Sequence, residues 1–326
     1  MLFFGYQSKA QTDTLNFTSP IRSILQDCNG NYWFGSQNEG VCLFDGETFE
    51  YFTIKEGLSD NQVFSIQEDK NGDIWIGTAK GVCRYDGNKI TKQTRSVLED
   101  SKGEWMKTED DLWFGAGNNE GVYRYNGREM NYFPFPDPKV INSYNVYFVT
   151  GLTQGKNNIL WVGTYAGIFG YTGSTFIVIN DGTLGFEKEG EYLHIRSVLE
   201  DTKGRLWIGN NGIGVLLYDG NSTINFSDKM GLIHPLSLGK GDRSPAGTLE
   251  HVFTIEEDVQ GNIWFGDRDT GVWKYDGQTM VNYTTKDGLS DDFVLSIYTN
   301  TAEELLFGLA DGSVYKFNGV SFDKRF

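Results

Sequence analysis

Residues 63–87 decide the fold. They run Val63-Phe64-Ser65-Ile66-Gln67-Glu68, then Asp69-Lys70-Asn71-Gly72, then Ile74-Trp75-Ile76-Gly77, then Gly81-Val82-Cys83-Arg84-Tyr85, and end on Asp86-Gly87. Short apolar and β-branched runs broken by Asp-x-x-Gly and Asp-Gly read as strands joined by tight turns. The same grammar recurs along the chain. Trp33-Phe34-Gly35, Trp113-Phe114-Gly115, Trp161-Val162-Gly163, Trp207-Ile208-Gly209 and Trp264-Phe265-Gly266 repeat Trp75-Ile76-Gly77, and Leu306-Phe307-Gly308 is a seventh copy without the Trp. Successive glycines lie 42, 38, 48, 46, 57 and 42 residues apart, a propeller-blade period. The Asp-Gly hairpin returns as Asp45-Gly46, Asn126-Gly127, Asp219-Gly220, Asp276-Gly277 and Asn318-Gly319, with Thr172-Gly173 a weaker copy. It predicts a type I′ turn.

One four-stranded sheet cannot bury both of its faces, whereas seven arranged radially cover one another. The expected fold is therefore all-β, a seven-bladed β-propeller of four-stranded antiparallel blades. It occupies residues 14–326 as a single domain, behind a tail at 1–13. The position of Ser65 is small in every copy (Ser23, Ser96, Gly151, Ser197, Thr254, Ser296), as a crowded axis requires. Three copies depart from the pattern. The third carries an insertion, Glu104 to Asp110. The fourth has Gly155 in place of Asp, and the seventh lacks both Trp and the Asp-x-x-Gly turn. Thr14–Thr18 and Val320–Phe322 compete as the segment that fastens the ring.

Over residues 20–322 the pattern resembles the two-component regulator propeller repeat. The resemblance implies a sensor-like recognition module of the kind found in extracytoplasmic parts of bacterial two-component regulators, with oligosaccharides or similar signals as ligands.

Composition narrows the partners. A net charge of −16, from 44 acidic and 28 basic residues, disfavours nucleic acid and anionic membrane surfaces. No apolar run reaches the length of a membrane span. Cys28, Cys42 and Cys83 form no disulfide framework, and Cys42 and Cys83 fall on a core position. Leu2-Phe3-Phe4-Gly5 followed by Ser8-Lys9-Ala10 reads either as the tail of an export signal, hence a periplasmic or extracellular protein, or as an ordinary terminus.

The strand order puts blade-to-blade links on one rim. They are elaborated on one side only, at 134–145, 177–193 and 227–250, and long links carry function. All three histidines, His194, His234 and His251, lie in or beside them, with Lys229, Lys240 and Arg243 in the last. Arg22, Arg95 and Arg196 share one inner-strand register. The site expected at this mouth binds a carbohydrate or other anionic small ligand through Arg196, Asn210, Asn211, Lys240, Arg243 and Arg268, aromatic faces stacking on sugars. On the competing structural reading, the arginines pair with repeat acids such as Glu68, Glu99 or Glu200. A second function is a polysaccharide or streptogramin-type lyase, with His194, His251 and Tyr165 as candidate catalytic groups. A third is a protein-interaction platform. No cofactor is predicted, and no motif supports a divalent cation.

Overall fold

The computed structural model describes residues 11–12, 14–99, 104–136, 147–155, 158–184, 193–235 and 243–326. Seven antiparallel sheets follow one another along the chain, six of them built outward from an inner strand. Those inner strands are Ile21–Gln26, Val63–Glu68, Val149–Gln154, Ile195–Glu200, Val252–Glu257 and Val294–Thr299, in blades 1, 2, 4, 5, 6 and 7. Inner strands of neighbouring blades pack against each other, Leu112–Gly115 of blade 3 touches the inner strands of blades 2 and 4, and blade 7 packs back on blade 1, so the ring is closed.

The repeated letters now have physical roles. Each Asp of Asp-x-x-Gly folds back to accept the indole N–H six residues on: Asp27 from Trp33 at 3.0 Å, Asp69 from Trp75 at 2.9 Å, Asp201 from Trp207 and Asp258 from Trp264 at 2.8 Å. The same carboxylates take two backbone N–H groups of their own turn, as Asp201 does from Lys203 and Arg205. A buried charge is thus fully bonded, and it fixes the turn to the core Trp. Blade 4 has no Asp to offer at Gly155. Its Trp161 instead donates to Glu200 of blade 5 at 2.5 Å. The small residue of each inner strand faces the Gly of the second, as in Ser65 opposite Gly77. Its hydroxyl also bridges blades: Ser23 accepts from the Ile66 N–H, and Ser296 donates to the Ile21 carbonyl. Cys42 and Cys83 are buried core residues, as expected.

Three expectations need correction. The Asx-Gly hairpins are four-residue loops, not type I′ turns. Phe44 pairs with Phe49, Asp45 keeps negative φ, and only Gly46 is left-handed. The Asp45 side chain does the remaining work by accepting the Glu47 and Thr48 N–H groups. Residues 177–180 belong to the outer strand of blade 4, Phe176–Asn180, so its link to blade 5 begins at Asp181.

The third correction is the largest. Among the described residues, blade 3 has three strands, Leu112–Gly115, Val122–Tyr125 and Met130–Phe133. Ser96 lies in no strand, and Leu98 is 87% exposed. The inserted Trp105 stacks on Trp113 at 5.8 Å and joins Phe133, Phe135, Tyr171 and Phe176 in the seam to blade 4.

Neither candidate fastener exchanges strands. Phe322–Lys324 is blade 7's own outer strand and Thr14–Thr18 lies in no strand, while Gln11–Thr12, ahead of it, adds a fifth strand to blade 1. The rest of the expected 1–13 tail lies outside the described residues. Closure rests on contacts across the seam: Asn300 Nδ2 to the Tyr32 hydroxyl at 2.9 Å, the Gln26 N–H to the Tyr298 hydroxyl at 2.9 Å, and Phe326 packed on Tyr32, Phe34 and Phe44.

Candidate functional site

Six inner strands bring one register position to the axis. Arg22, Phe64, Thr150, Arg196, Phe253 and Leu295 all line a channel cavity of about 280 Å³. Antiparallel pairing opposite an invariant small residue holds that register, so the position before it points the same way in every blade.

Two cations therefore meet inside a narrow channel. The Arg196 guanidinium lies 4.8 Å from the Tyr165 ring centroid and 4.7 Å from that of Phe253, and donates to the Tyr165 hydroxyl at 3.1 Å. Its Nε is buried without a hydrogen-bond partner among the described residues. Arg22 lies 5.0 Å from the Phe64 ring and donates to Gln37 at 2.6 Å. Neither forms an ion pair among the described residues, so the expected pairing with Glu68 or Glu200 does not occur for these two. Burial pushes both guanidinium pKa values down, and each lies near enough to other cations to be lowered further, Arg22 by Arg196 and Arg196 by Arg268. The deeper wall carries Glu256, whose carboxyl burial pushes up to about 7 despite a hydrogen bond from Thr299.

Above the channel, blades 5 and 6 are clipped by Asn211. Its Nδ2 contacts His194 Nδ1 at 3.2 Å, and its Oδ1 contacts His251 Nδ1 at 2.8 Å. With this amide orientation His194 Nδ1 accepts and His251 Nδ1 donates. His194 stacks edge-on against Tyr165 at 5.0 Å, and burial with the Arg196 and His251 charges lowers its pKa to about 4. The backbone logic repeats one blade on. Asn210 Oδ1 accepts the His194 N–H, and Asp267 accepts the His251 N–H together with those of Asp269 and Thr270. Burial raises the Asp267 carboxyl to about 7 all the same.

The expected site residues divide accordingly. Tyr165, His194, Arg196 and Asn211 meet at the mouth. Asn210 is buried behind them, and His251 is only 2% exposed, which removes it from contact with a bound molecule. Arg268 is held by Asp269 at 2.8 Å, Arg243 is exposed, and Lys240 lies outside the described residues. His234 donates its backbone N–H to Glu250 rather than joining the other histidines. Arg95, in blade 3, is not on an inner strand. Sequence reading missed Phe64, Phe253 and Glu256. Their signal was the shared register for the phenylalanines, which apolar identity disguised as core.

The model of the family described as "Two component regulator propeller" matches residues 57–80 and 191–212, ranges that contain the inner and second strands of blades 2 and 5. Those two segments are similar to the two-component regulator propeller repeat. Over 53 residues it is 42% identical to histidine kinase P4 of Formosa agariphila, a match covering 16% of this chain and 4% of the kinase. The propeller superposes on the extracellular domain of the hybrid two component system BT3049 from B. thetaiotaomicron. The TM-score is 0.68 and the identity 20%, over 93% of this chain and 39% of that one. It also shares its fold with virginiamycin B lyase from Staphylococcus aureus, at TM-score 0.68 and 14% identity over 95% and 98% of the two chains. At these identities the likeness is one of fold. The chain thus spans well under half of the sensor domain it matches. No helix among the described residues is long and apolar enough to cross a membrane.

Proposed function

We propose that this propeller is a recognition module that holds a carboxylated or sulfated carbohydrate, or a similar anionic small ligand, in the axial channel at its mouth. The observation that carries this reading is the pair Arg22 and Arg196, partly buried in one channel and without ion pairs among the described residues. Desolvated cations are costly unless an anion joins them. Here they are flanked by Phe64, Phe253 and Tyr165, flat faces suited to a sugar ring. On a chain of net charge −16, local positive potential of this kind selects one spot for an anion. The likeness to extracellular sensor domains supports the same reading, and with it an extracellular or periplasmic address.

The test is a thermal-shift and titration series over uronate, sulfated and neutral oligosaccharides. Acidic glycans should bind, and Arg196→Ala and Arg22→Ala should each weaken them about tenfold or more. Equal binding of neutral glycans, or unchanged affinity in both variants, would sink the proposal.

The lyase reading has less behind it. The lyase fold likeness includes a catalytically inactive histidine-to-alanine variant bound to quinupristin. In this chain, however, His251 is buried, and His194, with Nδ1 accepting, presents N–H rather than a lone pair at Nε2. Release of unsaturated ends from uronate polymers, followed by ultraviolet absorbance, would revive it.

A further inference from the structure

The channel holds one acid among its cations. Glu256 lines the same cavity of about 280 Å³ as Arg22 and Arg196, and among the described residues no ion pair joins it to either. Its place on the strand explains the separation. Phe253 is the blade 6 counterpart of Arg196, and Glu256 stands three residues further along the inner strand, up to about 10 Å at the rise of a strand. The charge that acts on Glu256 is that of Glu257, not an arginine. A cationic end and an acidic end thus face one small space without neutralising each other.

The register shows that packing does not require the acid. The position opposite the second-strand Trp, or opposite Leu306 where that Trp is lost, holds Leu25, Gln67, Thr153, Leu199, Glu256 and Tyr298 in turn. Two of these bridge to the next blade. Gln67 Nε2 donates to the Trp113 carbonyl at 2.7 Å, and the Tyr298 hydroxyl accepts the Gln26 N–H at 2.9 Å. Glu256 bridges likewise, accepting from Thr299 Oγ1 at 3.2 Å. A glutamine would accept that bond as well. A carboxyl adds only the capacity for charge, which burial opposes, and burial pushes this one up to about 7. Thr150 Oγ1 lines the same cavity and is buried without a hydrogen-bond partner among the described residues.

We propose that the channel takes an amino sugar carrying an acid group, with its sulfate or carboxylate at Arg22 and Arg196, its ammonium at Glu256 and a ring hydroxyl at Thr150. The assignment rests on the anion reading above and sharpens it. An ammonium supplies the counter-charge that the Glu256 carboxylate lacks, and a buried acid bonded to a cation keeps its charge. Selection follows from the same rule. A ligand that offers the acid group without the amine either meets a protonated Glu256 or leaves a carboxylate buried and unpaired. A cavity of this size takes one small molecule, so both ends act on the same ligand.

The probes are glucosamine 6-sulfate, N-acetylglucosamine 6-sulfate and glucose 6-sulfate, titrated by calorimetry onto the whole protein and onto its Glu256→Gln and Arg196→Ala variants. The free amine should bind the parent about tenfold more tightly than the other two, a comparison that needs no variant. Glu256→Gln keeps an acceptor for Thr299 and should bring the three affinities to within about twofold by weakening the amine alone. Arg196→Ala should weaken all three about tenfold. An amine that binds no better than the hydroxyl or the acetamide overturns the proposal, and so does an amine preference that survives in Glu256→Gln. If binding still depends on Arg196 in either case, the anion reading stands without it. Absence of saturation by all three up to about 10 mM also overturns it, and the oligosaccharide series above then decides the anion reading separately.

Discussion

Arg95-Ser96-Val97-Leu98-Glu99-Asp100 and Arg196-Ser197-Val198-Leu199-Glu200-Asp201 are the same six residues, and they meet different fates. In blade 5 the first five lie in the inner strand, and Asp201 anchors Trp207. In blade 3 the first five lie outside any strand, with Leu98 and Glu99 exposed. Local propensity is equal by construction, so it cannot be the cause. The difference is upstream. Blade 5 is reached from the outer strand ending at Asn180 through residues 181–194, and blade 3 from Gln93 through nothing. A strand in a propeller is thus specified jointly by its own pattern and by the length of chain that carries it to the axis.

The sharpest way to test that contrast is to damage both copies. Asp201 is wholly buried. Burial pushes its carboxyl up, but hydrogen bonds from Trp207 and Arg205 outweigh this and hold it below the usual range. Asp201→Ala leaves an indole N–H and a turn unsatisfied and should cost about 3–5 kcal/mol in urea unfolding. Glu99→Ala, one residue earlier in the matching segment, should change stability by less than about 0.5 kcal/mol. Comparable losses would mean that the blade 3 segment is docked after all.

The converse experiment repairs the link. Inserting a copy of residues 54–61 between Gln93 and Thr94 restores a connector like the one joining blades 1 and 2. Burying Val97 and Leu98 should then raise stability by roughly 2 kcal/mol net of the added ordering cost. Amides 96–99 should also gain exchange protection. An unchanged melting temperature with fast exchange at 96–99 would show that link length is not the limiting factor.

This contrast also marks what could be read from the residues alone. The blade count, the core positions and the common register of Arg22 and Arg196 were legible, because each is a periodic demand repeated across blades. The absent strand was not, because its letters are correct and only a deletion outside it is at fault. The hairpin turn was misassigned because Asp-Gly states where φ turns positive at Gly but not how many residues close the loop. The burial of His251 was hidden too. Two histidines in equivalent positions differ only in which neighbour covers them, a property of the seam between blades 5 and 6.

That seam supplies a further test, of pH. Asp267 and Asn210 hold matching places and both accept a histidine N–H. Burial raises the Asp267 pKa from 3.8 to about 7. A raised folded-state value means that the native state binds the extra proton. Its stabilising contribution is therefore complete below 3.8 and lost as pH climbs to about 7. Asp267→Asn copies blade 5 and does not titrate. The unfolding free energy of the variant minus that of the parent should rise between pH 4 and pH 7 and level off above, by up to about 4 kcal/mol. A flat or falling difference would mean that Asp267 stays ionised, with its three N–H donors outweighing desolvation.

The gentlest comparison lies in the Asp-x-x-Gly turns. Gly204 closes the turn of blade 5 at φ 76°, and Gly30, Gly72 and Gly261 do the same in blades 1, 2 and 6. In blade 7 the equivalent residue is Glu303, held at φ 62°, where an L side chain meets the neighbouring carbonyl. Asn300 keeps that turn by accepting the Ala302 and Glu304 N–H groups, so the strain is local. Glu303→Gly should then stabilise by about 1 kcal/mol, and Gly204→Ala should destabilise by a similar amount, both read as shifts in the urea midpoint at constant slope. The two substitutions exchange the states of the same turn in two blades. This order of signs is required, and the reverse order, Glu303→Gly destabilising and Gly204→Ala stabilising, would place the cost in the unfolded chain rather than in the left-handed residue.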